Sequence, residues 1–182
     1  MTASTADPSS DLMIRAARVT ALVLDVDGVL TDGRVVYDEF GDELKFFDIQ
    51  DGAGLALWHR AGLRTALITG RKARMVKRRA KEMRVDFLVQ HASQKLVAYE
   101  KFIKKFHLAH AQICAVGDDL MDLPILKRAG LAIAVPNAVD EVKAISHYRT
   151  SKSGGRGAVR EIIDLILKAK GLWDSTLQPY QI

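Results

Sequence analysis

Residues 22–33 read LVLDVDGVLTDG, an apolar run that is followed at once by Asp25, Asp27 and Asp32. A short run of Leu and Val without a polar interruption is typical of a strand that is buried on both faces. Further short apolar runs alternate with longer amphipathic segments along the chain. We predict strands over 21–25, 63–68, 85–89, 112–116 and 131–134, and helices over 52–61, 72–83, 94–106, 120–129, 138–144 and 157–169.

This alternation predicts an α/β fold, a three-layer Rossmann-like parallel sheet with helices on both faces. Residues 34–47 depart from it, because two short apolar stretches flank a Gly41-Asp42 turn. They predict a small β-hairpin flap after the first strand. No segment is long enough for a cap domain. We expect a disordered N-terminal tail over 1–11, a single domain over 12–170 and a C-terminal tail over 171–182.

Composition and net charge limit the kinds of partner that the protein could bind. The chain has 182 residues and a net charge of +5, which is compatible with nucleic acid, a membrane surface or a small anionic substrate. The basic residues of 72–81 follow a helical pattern without interleaved aromatics, which favours a solvated face over a nucleic-acid groove. Cys114, the one cysteine, lies in an apolar run and is predicted to be buried. Without a signal-peptide pattern or an apolar run of about 20 residues, we expect a cytoplasmic protein with no nucleic-acid or membrane partner.

Polar residues follow several of the predicted strands. They are Asp25 and Asp27 after the first, Thr69 and Gly70 after the second, and Asp118, Asp119 and Asp122 after the fourth, with Lys95 opening a helix. Each alone is an ordinary turn, cap or surface residue, but the carboxyl ends of parallel strands meet at one edge of the sheet. Carboxylates gathered there repel one another unless a hard cation such as Mg²⁺ binds them. A hydroxyl, a backbone N–H and an ammonium suit phosphate oxygens, so the set predicts phosphoryl transfer.

Four segments resemble the motifs of the haloacid dehalogenase superfamily over about residues 18–170: DVDGVLT, ITGR, Lys95 and GDDLMDLP. DGVLTDG, DGAG, TGRKA and the late GGRGAVRE are similar to one branch, the 3-deoxy-D-manno-octulosonate 8-phosphate phosphatase family. The resemblance implies a capless, Mg²⁺-dependent phosphomonoesterase of lipopolysaccharide precursor synthesis. It also implies an aspartyl-phosphate intermediate and a homotetramer whose subunits shield one another's sites.

The same resemblance implies roles for individual residues. Asp25 would be the nucleophile, and Asp27 would protonate the leaving group and then deprotonate water. Mg²⁺ would be bound by Asp25, the backbone carbonyl of Asp27, and Asp118. Phosphate would be bound by Thr69, Gly70 and Lys95. Asp119 and Asp122 would orient the groups around the metal.

The substrate, a small anionic sugar phosphate, would contact further residues. The candidates are Asp27, Asp48, Asp51, Gly52, Arg71, Arg79 and Asp119, with Arg71 the first choice for an anion clamp. Arg156 or Arg160 would reach a neighbouring subunit, although Arg160 in a helix is equally compatible with a surface ion pair. The chain departs from the family at His91, where a glycine is common, and at Ala56, where some relatives have a basic residue.

Three other interpretations stay open at this point. A phosphatase of a nine-carbon nonulosonate 9-phosphate would have the same motifs. A signalling receiver domain also gathers acids, Thr and Lys around Mg²⁺, although it places the acidic pair first along the chain and the acceptor Asp later. A basic nucleic-acid-binding module would bind with a steep salt dependence.

Overall fold

A computed structural model describes residues 8–180 of the chain. Its strands are β1 (Ala21–Leu24), β2 (Val36–Tyr37), β3 (Glu43–Leu44), β4 (Arg64–Ile68), β5 (Phe87–Val89), β6 (Ile113–Gly117), β7 (Leu131–Ala134) and β8 (Tyr148–Arg149). Its α-helices are α1 (Pro8–Arg18), α2 (Ile49–Arg60), α3 (Arg74–Glu82), α4 (Lys95–Phe106), α5 (Leu123–Leu126), α6 (Asp140–Ile145), α7 (Ala158–Ala169) and α8 (Trp173–Leu177). No helix within this part of the chain combines the length and the apolar character that crossing a membrane requires.

The central sheet confirms the predicted α/β architecture. Six parallel strands lie in the order β5-β4-β1-β6-β7-β8 with helices around the sheet, and residues 8–180 contain no cap domain. All four residues of β1 are buried, as expected for a strand with neighbours on both sides. Leu24 is in register with Leu67 of β4 and Val116 of β6. The chain leaves these three strands at the same edge, and this brings Asp25 next to the loops that follow β4 and β6.

The predicted hairpin over 34–47 is also confirmed. β2 and β3 pair antiparallel as a separate two-stranded sheet, with Val36 opposite Leu44. Gly41 takes a φ of +82° in the turn, a conformation that glycine adopts without steric cost. The Asp38 carboxylate closes the turn by accepting hydrogen bonds from the backbone N–H groups of Phe40 (2.9 Å) and Asp42 (2.8 Å).

The N-terminal segment differs from prediction, and the C-terminal tail contains a short helix. Residues 8–11 belong to α1 instead of a disordered tail, because α1 turns Ala16 onto the core and carries an Arg15–Asp11 ion pair of 2.7 Å. Because residues 1–11 are rich in Ser and Thr, the sequence pattern did not predict the apolar face of α1. Residues 1–7 lie outside the described part of the chain. The expected C-terminal tail over 171–182 contains α8, whose Thr176 carbonyl accepts a hydrogen bond from Arg60 (3.0 Å), and residues 181–182 are again outside the described part.

Several helix bounds were also wrong. The helix predicted over 120–129 is a 3₁₀ turn over 120–122 followed by the four-residue α5. There the Asp122 carboxylate accepts hydrogen bonds from the backbone N–H groups of Asp118 and Asp119, which caps the 3₁₀ turn. α2 begins at Ile49 instead of residue 52, because the Asp48 carboxylate caps it by accepting a hydrogen bond from Gln50 N (2.6 Å). The short edge strand β8 was not predicted, since two residues carry no detectable alternation.

Candidate active site

A buried lysine lies between two carboxylates at the carboxyl end of β1. Lys95, the first residue of α4, places its ammonium nitrogen 2.8 Å from Asp25 Oδ1 and 2.7 Å from Asp122 Oδ1. All three residues are buried. Burial, together with the negative charge of Asp122, raises the pKa of Asp25 to about 8, against the opposing effect of Lys95. The single positive charge of Lys95 therefore does not fully compensate the negative charges of Asp25 and Asp122.

A third carboxylate increases that imbalance. Asp25, Asp118 and Asp122 each bring an oxygen within 4.8 Å of the other two. Asp118 Oδ1 is buried without a hydrogen-bond partner among the described residues. Burial, and then the charge of Asp122, raises the pKa of Asp118 to about 7. Such oxygen donors, close together and short of positive charge, fit a hard divalent cation such as Mg²⁺.

The three acids differ in how far their oxygens are already used. Asp122 Oδ1 accepts from Lys95, while Oδ2 accepts from the backbone N–H groups of Asp118 (3.1 Å) and Asp119 (3.3 Å). Asp122 thus holds the loop that carries Asp118. This geometry favours Asp25 and Asp118 as metal ligands and Asp122 as their support, an assignment that stays a proposal.

Glycines make room for this cluster. Gly28 has a φ of +91°, and a Cβ added to it would lie 1.9 Å from Asp118 Oδ2. The Gly28 carbonyl accepts a hydrogen bond from the Asn137 amide (2.8 Å), whose oxygen in turn accepts from Gly154 N (2.9 Å). The glycine-rich segment that contains Gly154 therefore packs against the loop after β1 of its own chain. Asn137 was not singled out in the sequence, because nothing local distinguishes it from a loop asparagine.

The predicted phosphate loop follows β4 and begins at Thr69. Thr69 Oγ1 donates to Asp27 Oδ2 (3.2 Å) and accepts from Arg71 N (3.1 Å). Gly70 lies beneath Met121, whose terminal methyl would be 3.5 Å from an added Cβ. A hydroxyl and a turn of backbone thus stand beside the proposed acid/base Asp27, as phosphate binding requires.

Two hairpin residues reach the same place and were missed in the sequence. The ammonium of Lys45 forms an ion pair with Asp27 Oδ1 and lies 3.0 Å from Glu43 Oε1. Glu43 also pairs with Arg71 (2.9 Å), so the predicted anion clamp is tied to the hairpin. The available signal was the alternation in DELKFF, which sends Glu43 and Lys45 to one face of the strand.

Three predicted substrate residues contact one another where α2 meets α3. An Arg79 guanidinium nitrogen donates to the Asp48 carbonyl (3.3 Å) and would be 2.4 Å from a Cβ on Gly52. Arg79 also pairs with Glu82 at 3.3 Å. These contacts join α2 to α3, and they leave the substrate role of Asp48, Gly52 and Arg79 a prediction.

Three further positions show local reasons for their residue types. Asp119 is exposed and accepts from Leu120 N (2.7 Å), so it caps the 3₁₀ turn. His91 is exposed with a φ of +56°, which explains why a glycine suits this position. Arg160 pairs with Asp164 (2.7 Å) on its own helix, as one of the two alternatives for it predicts.

Asp51 lies at the contact between α2 and α7. Its Oδ1 accepts from Arg160 N (2.8 Å) in the first turn of α7, and the residue is buried. Burial raises the pKa of Asp51 to about 6, and the charge of Asp48 contributes. The structure therefore gives Asp51 a structural role, and its predicted contact with substrate stays a prediction.

Asp51→Asn should change how stability depends on pH. The pKa of Asp51 rises from 3.8 to about 6 on folding, so its contribution to stability is fully present below the lower value and is lost as the pH rises through the higher one. Between about pH 4 and 7, wild type should lose about 2 kcal/mol of unfolding free energy relative to the variant. Urea unfolding at both pH values measures this. Asp140→Asn, at a side chain that is 98% exposed, is the control. If the unfolding free energy changed between the two pH values by the same amount in wild type, Asp51→Asn and Asp140→Asn, the raised pKa of Asp51 would be refuted.

Comparison with known proteins decides which family this site belongs to. The haloacid dehalogenase-like hydrolase model matches residues 87–163. The 3-deoxy-D-manno-octulosonate 8-phosphate phosphatase KdsC of Escherichia coli K12 is 40% identical over 166 residues, 91% of this chain and 88% of that protein. The chain belongs to the 3-deoxy-D-manno-octulosonate 8-phosphate phosphatase family. This membership confirms the resemblance seen in the sequence, and it does not fit a receiver domain or a nucleic-acid-binding module.

Solved structures of this family match over almost the whole chain. The phosphatase from Moraxella catarrhalis, a complex with magnesium, phosphate and KDO, has a TM-score of 0.91 at 40% identity, covering 94% of this chain and 99% of that one. The phosphatase from Yersinia pestis has a TM-score of 0.88 at 39% identity, covering 90% and 89%. The family fold therefore extends through the central sheet and the loops that carry the acids.

Proposed function

We propose that the protein hydrolyses 3-deoxy-D-manno-octulosonate 8-phosphate to the free sugar acid and phosphate. The observation that carries the proposal is the convergence of Asp25, Lys95 and Asp118 at one sheet edge, in a chain 40% identical to a phosphatase of this substrate. A nucleophile, a cation for phosphate oxygens and a pair of metal ligands are the components that phosphoryl transfer needs.

The reaction is proposed to proceed in two steps. A carboxylate oxygen of Asp25 attacks phosphorus, while Asp27 gives its proton to the departing sugar oxygen. Asp27 then takes a proton from the water that hydrolyses the aspartyl-phosphate. The Lys95 ammonium and the Gly70 N–H contact the phosphate oxygens, and the ammonium offsets their charge. The Thr69 hydroxyl, which the sequence also assigned to phosphate, donates its hydrogen to Asp27. Mg²⁺, when bound by Asp25, Asp118 and the Asp27 carbonyl, supplies charge neutralisation for the transferring group.

A cavity beside the loop after β1 suits the sugar acid. It has a volume of about 600 Å³ and is lined in part by Asp32, Arg34, Asp48 and Arg156. The two guanidinium groups provide what a sugar carboxylate needs, since a guanidinium binds a carboxylate through two parallel hydrogen bonds. We assign the carboxylate end of the substrate to this cavity, which adds Arg34 to the candidates found in the sequence.

Phosphate release over a series of sugar-acid phosphates tests the function. We expect turnover of the octulosonate 8-phosphate that requires Mg²⁺ and stops when the metal is chelated, because the acids then repel the phosphate. A nine-carbon nonulosonate 9-phosphate, assayed in parallel, should be turned over at least about tenfold less efficiently. Preference for the nonulosonate would move the assignment to that phosphatase. Turnover of neither substrate, with Mg²⁺ present and the fold intact, would remove it.

The hairpin supports a homotetramer of this enzyme. Apolar side chains on and next to it are exposed, among them Tyr37 (62%), Phe40 (84%) and Ile49 (83%). An apolar patch of this kind on a two-stranded sheet is typical of a contact between protein chains. We propose that it joins copies of this chain, so that neighbours shield one another's sites, and sedimentation should give the mass of four chains. A monomer mass would contradict this. The cytoplasmic location stays a prediction.

A further inference from the structure

We propose that Lys45 is a positioning residue that holds the Asp27 carboxyl in the orientation needed to protonate the leaving oxygen. The inference rests on the proposed phosphatase function and deepens it. Lys45 follows β3, and its side chain is 1% exposed. Its ammonium contacts Asp27 across the gap between the hairpin and the loop after β1. A buried ammonium is tolerated only where carboxylates surround it, so the hairpin brings a specific partner to Asp27.

Glu43 holds Lys45 in place. Glu43 Oε1 accepts hydrogen bonds from Lys45 (3.0 Å) and from Arg71 (2.9 Å). Burial alone would raise the pKa of Glu43, but these two cations lower it below its usual value. Glu43 therefore stays an anion between two cations, and it gives the Lys45 ammonium a second carboxylate partner beside Asp27.

Both oxygens of Asp27 are held as a result. Oδ1 pairs with Lys45 of the hairpin, and Oδ2 accepts from the Thr69 hydroxyl of the phosphate loop at 3.2 Å. The plane of the carboxyl group is thus set by two contacts from different parts of the fold. Without Lys45, the carboxyl group keeps only the Thr69 contact and can rotate. Proton transfer depends on this geometry, because the proton must reach the leaving oxygen as the bond to phosphorus breaks.

The chemistry provides a selective readout. In the first step the bond from Asp25 to phosphorus forms, the bond from phosphorus to the leaving oxygen breaks, and the Asp27 proton moves to that oxygen. An alkoxide is a poor leaving group and needs this proton. A nitrophenolate is stable as an anion and leaves without it. A defect in the orientation of Asp27 should therefore appear with alkyl phosphates and be nearly absent with nitrophenyl phosphate.

The test compares kcat/KM of wild type and Lys45→Met on propyl phosphate and on p-nitrophenyl phosphate, neither of which carries a carboxylate. We expect Lys45→Met to lower kcat/KM about 100-fold for the alkyl ester and less than about threefold for the aryl ester. Lys45→Arg should recover most of the alkyl activity, since it restores a cation. Lys104→Met, which removes an exposed lysine near the end of α4, is the matched control and should behave as wild type.

A double variant shows whether Lys45 acts through Asp27. In an Asp27→Asn background, Lys45→Met should cause no further loss on propyl phosphate, because coupled residues are not additive. Equal losses on both esters, or a full additional loss in the double variant, would overturn the inference. So would a loss confined to the sugar-acid phosphate, which would make Lys45 a substrate-binding residue.

The outcome separates this inference from the proposed function. Failure of wild type to hydrolyse the octulosonate 8-phosphate refutes the function itself, whereas an unselective effect of Lys45→Met in an active enzyme refutes only the role of Lys45. Should Lys45→Met not fold, Glu43→Gln weakens the hold on Lys45 without removing it. That variant should show the same preference for loss on the alkyl ester, and a uniform loss would count against the proposal.

Discussion

Asp25→Asn should abolish turnover, with kcat lowered by about 10⁴-fold or more, because the amide cannot accept the phosphoryl group. The fold should survive. In the metal-free protein, burial and Asp122 raise the pKa of Asp25 to about 8 from 3.8. The contribution of this carboxyl to stability is present at low pH and is lost as the pH rises through the higher value. At pH 8 in a chelator, the variant should therefore melt at or above the wild-type temperature.

Mg²⁺ separates the catalytic from the structural effect of this substitution. A ligand that binds only the native state raises the melting temperature, and wild type should gain more from Mg²⁺ than Asp25→Asn does. Asp140→Asn makes the same chemical change at an exposed side chain and should alter neither turnover nor the response to metal. Turnover of Asp25→Asn above about one hundredth of wild type would remove Asp25 as the nucleophile.

Gly154→Ala should be the most damaging single substitution outside the acidic cluster. A Cβ at Gly154 would lie 1.8 Å from the Gly28 carbonyl oxygen and 3.0 Å from that of Thr31. Backbone must move to relieve these contacts, which costs about 3 kcal/mol. Gly28 also adjoins Asp118, so the shift reaches the proposed metal ligands. We expect a lower urea midpoint together with a weaker response to Mg²⁺.

Ser153→Ala is the control for this effect. It changes the neighbouring residue without adding a Cβ, so its midpoint should stay within about 0.5 kcal/mol of wild type. If Gly154→Ala kept both the wild-type midpoint and the wild-type metal response, then the packing of the glycine-rich segment against the loop after β1 would not be important for the site.

The sequence alone determined the frame of the site. β1 is four apolar residues, and such a run with polar residues directly after it is typical of a buried strand, which places the following acids at a strand end. Chain order and strand ends together were sufficient to bring Asp25, Thr69, Lys95 and Asp118 to one edge. These inferences succeed because a parallel sheet converts positions along the chain into positions in space by a simple rule.

Only the tertiary structure decided which residues surround these strand ends. The Lys45–Asp27 ion pair depends on where the hairpin packs relative to the loop after β1. The alternation of residues within the hairpin does not predict that position. The hydrogen bond from Arg160 N to Asp51 joins residues 109 positions apart, and it gives Asp51 a structural role that its local sequence did not predict. The glycine-rich segment likewise packs inside its own chain. Local sequence patterns indicate which secondary structure a segment prefers. Contacts between residues distant in sequence depend on packing and on the burial of charge, and these are determined only when the helices have packed onto the sheet.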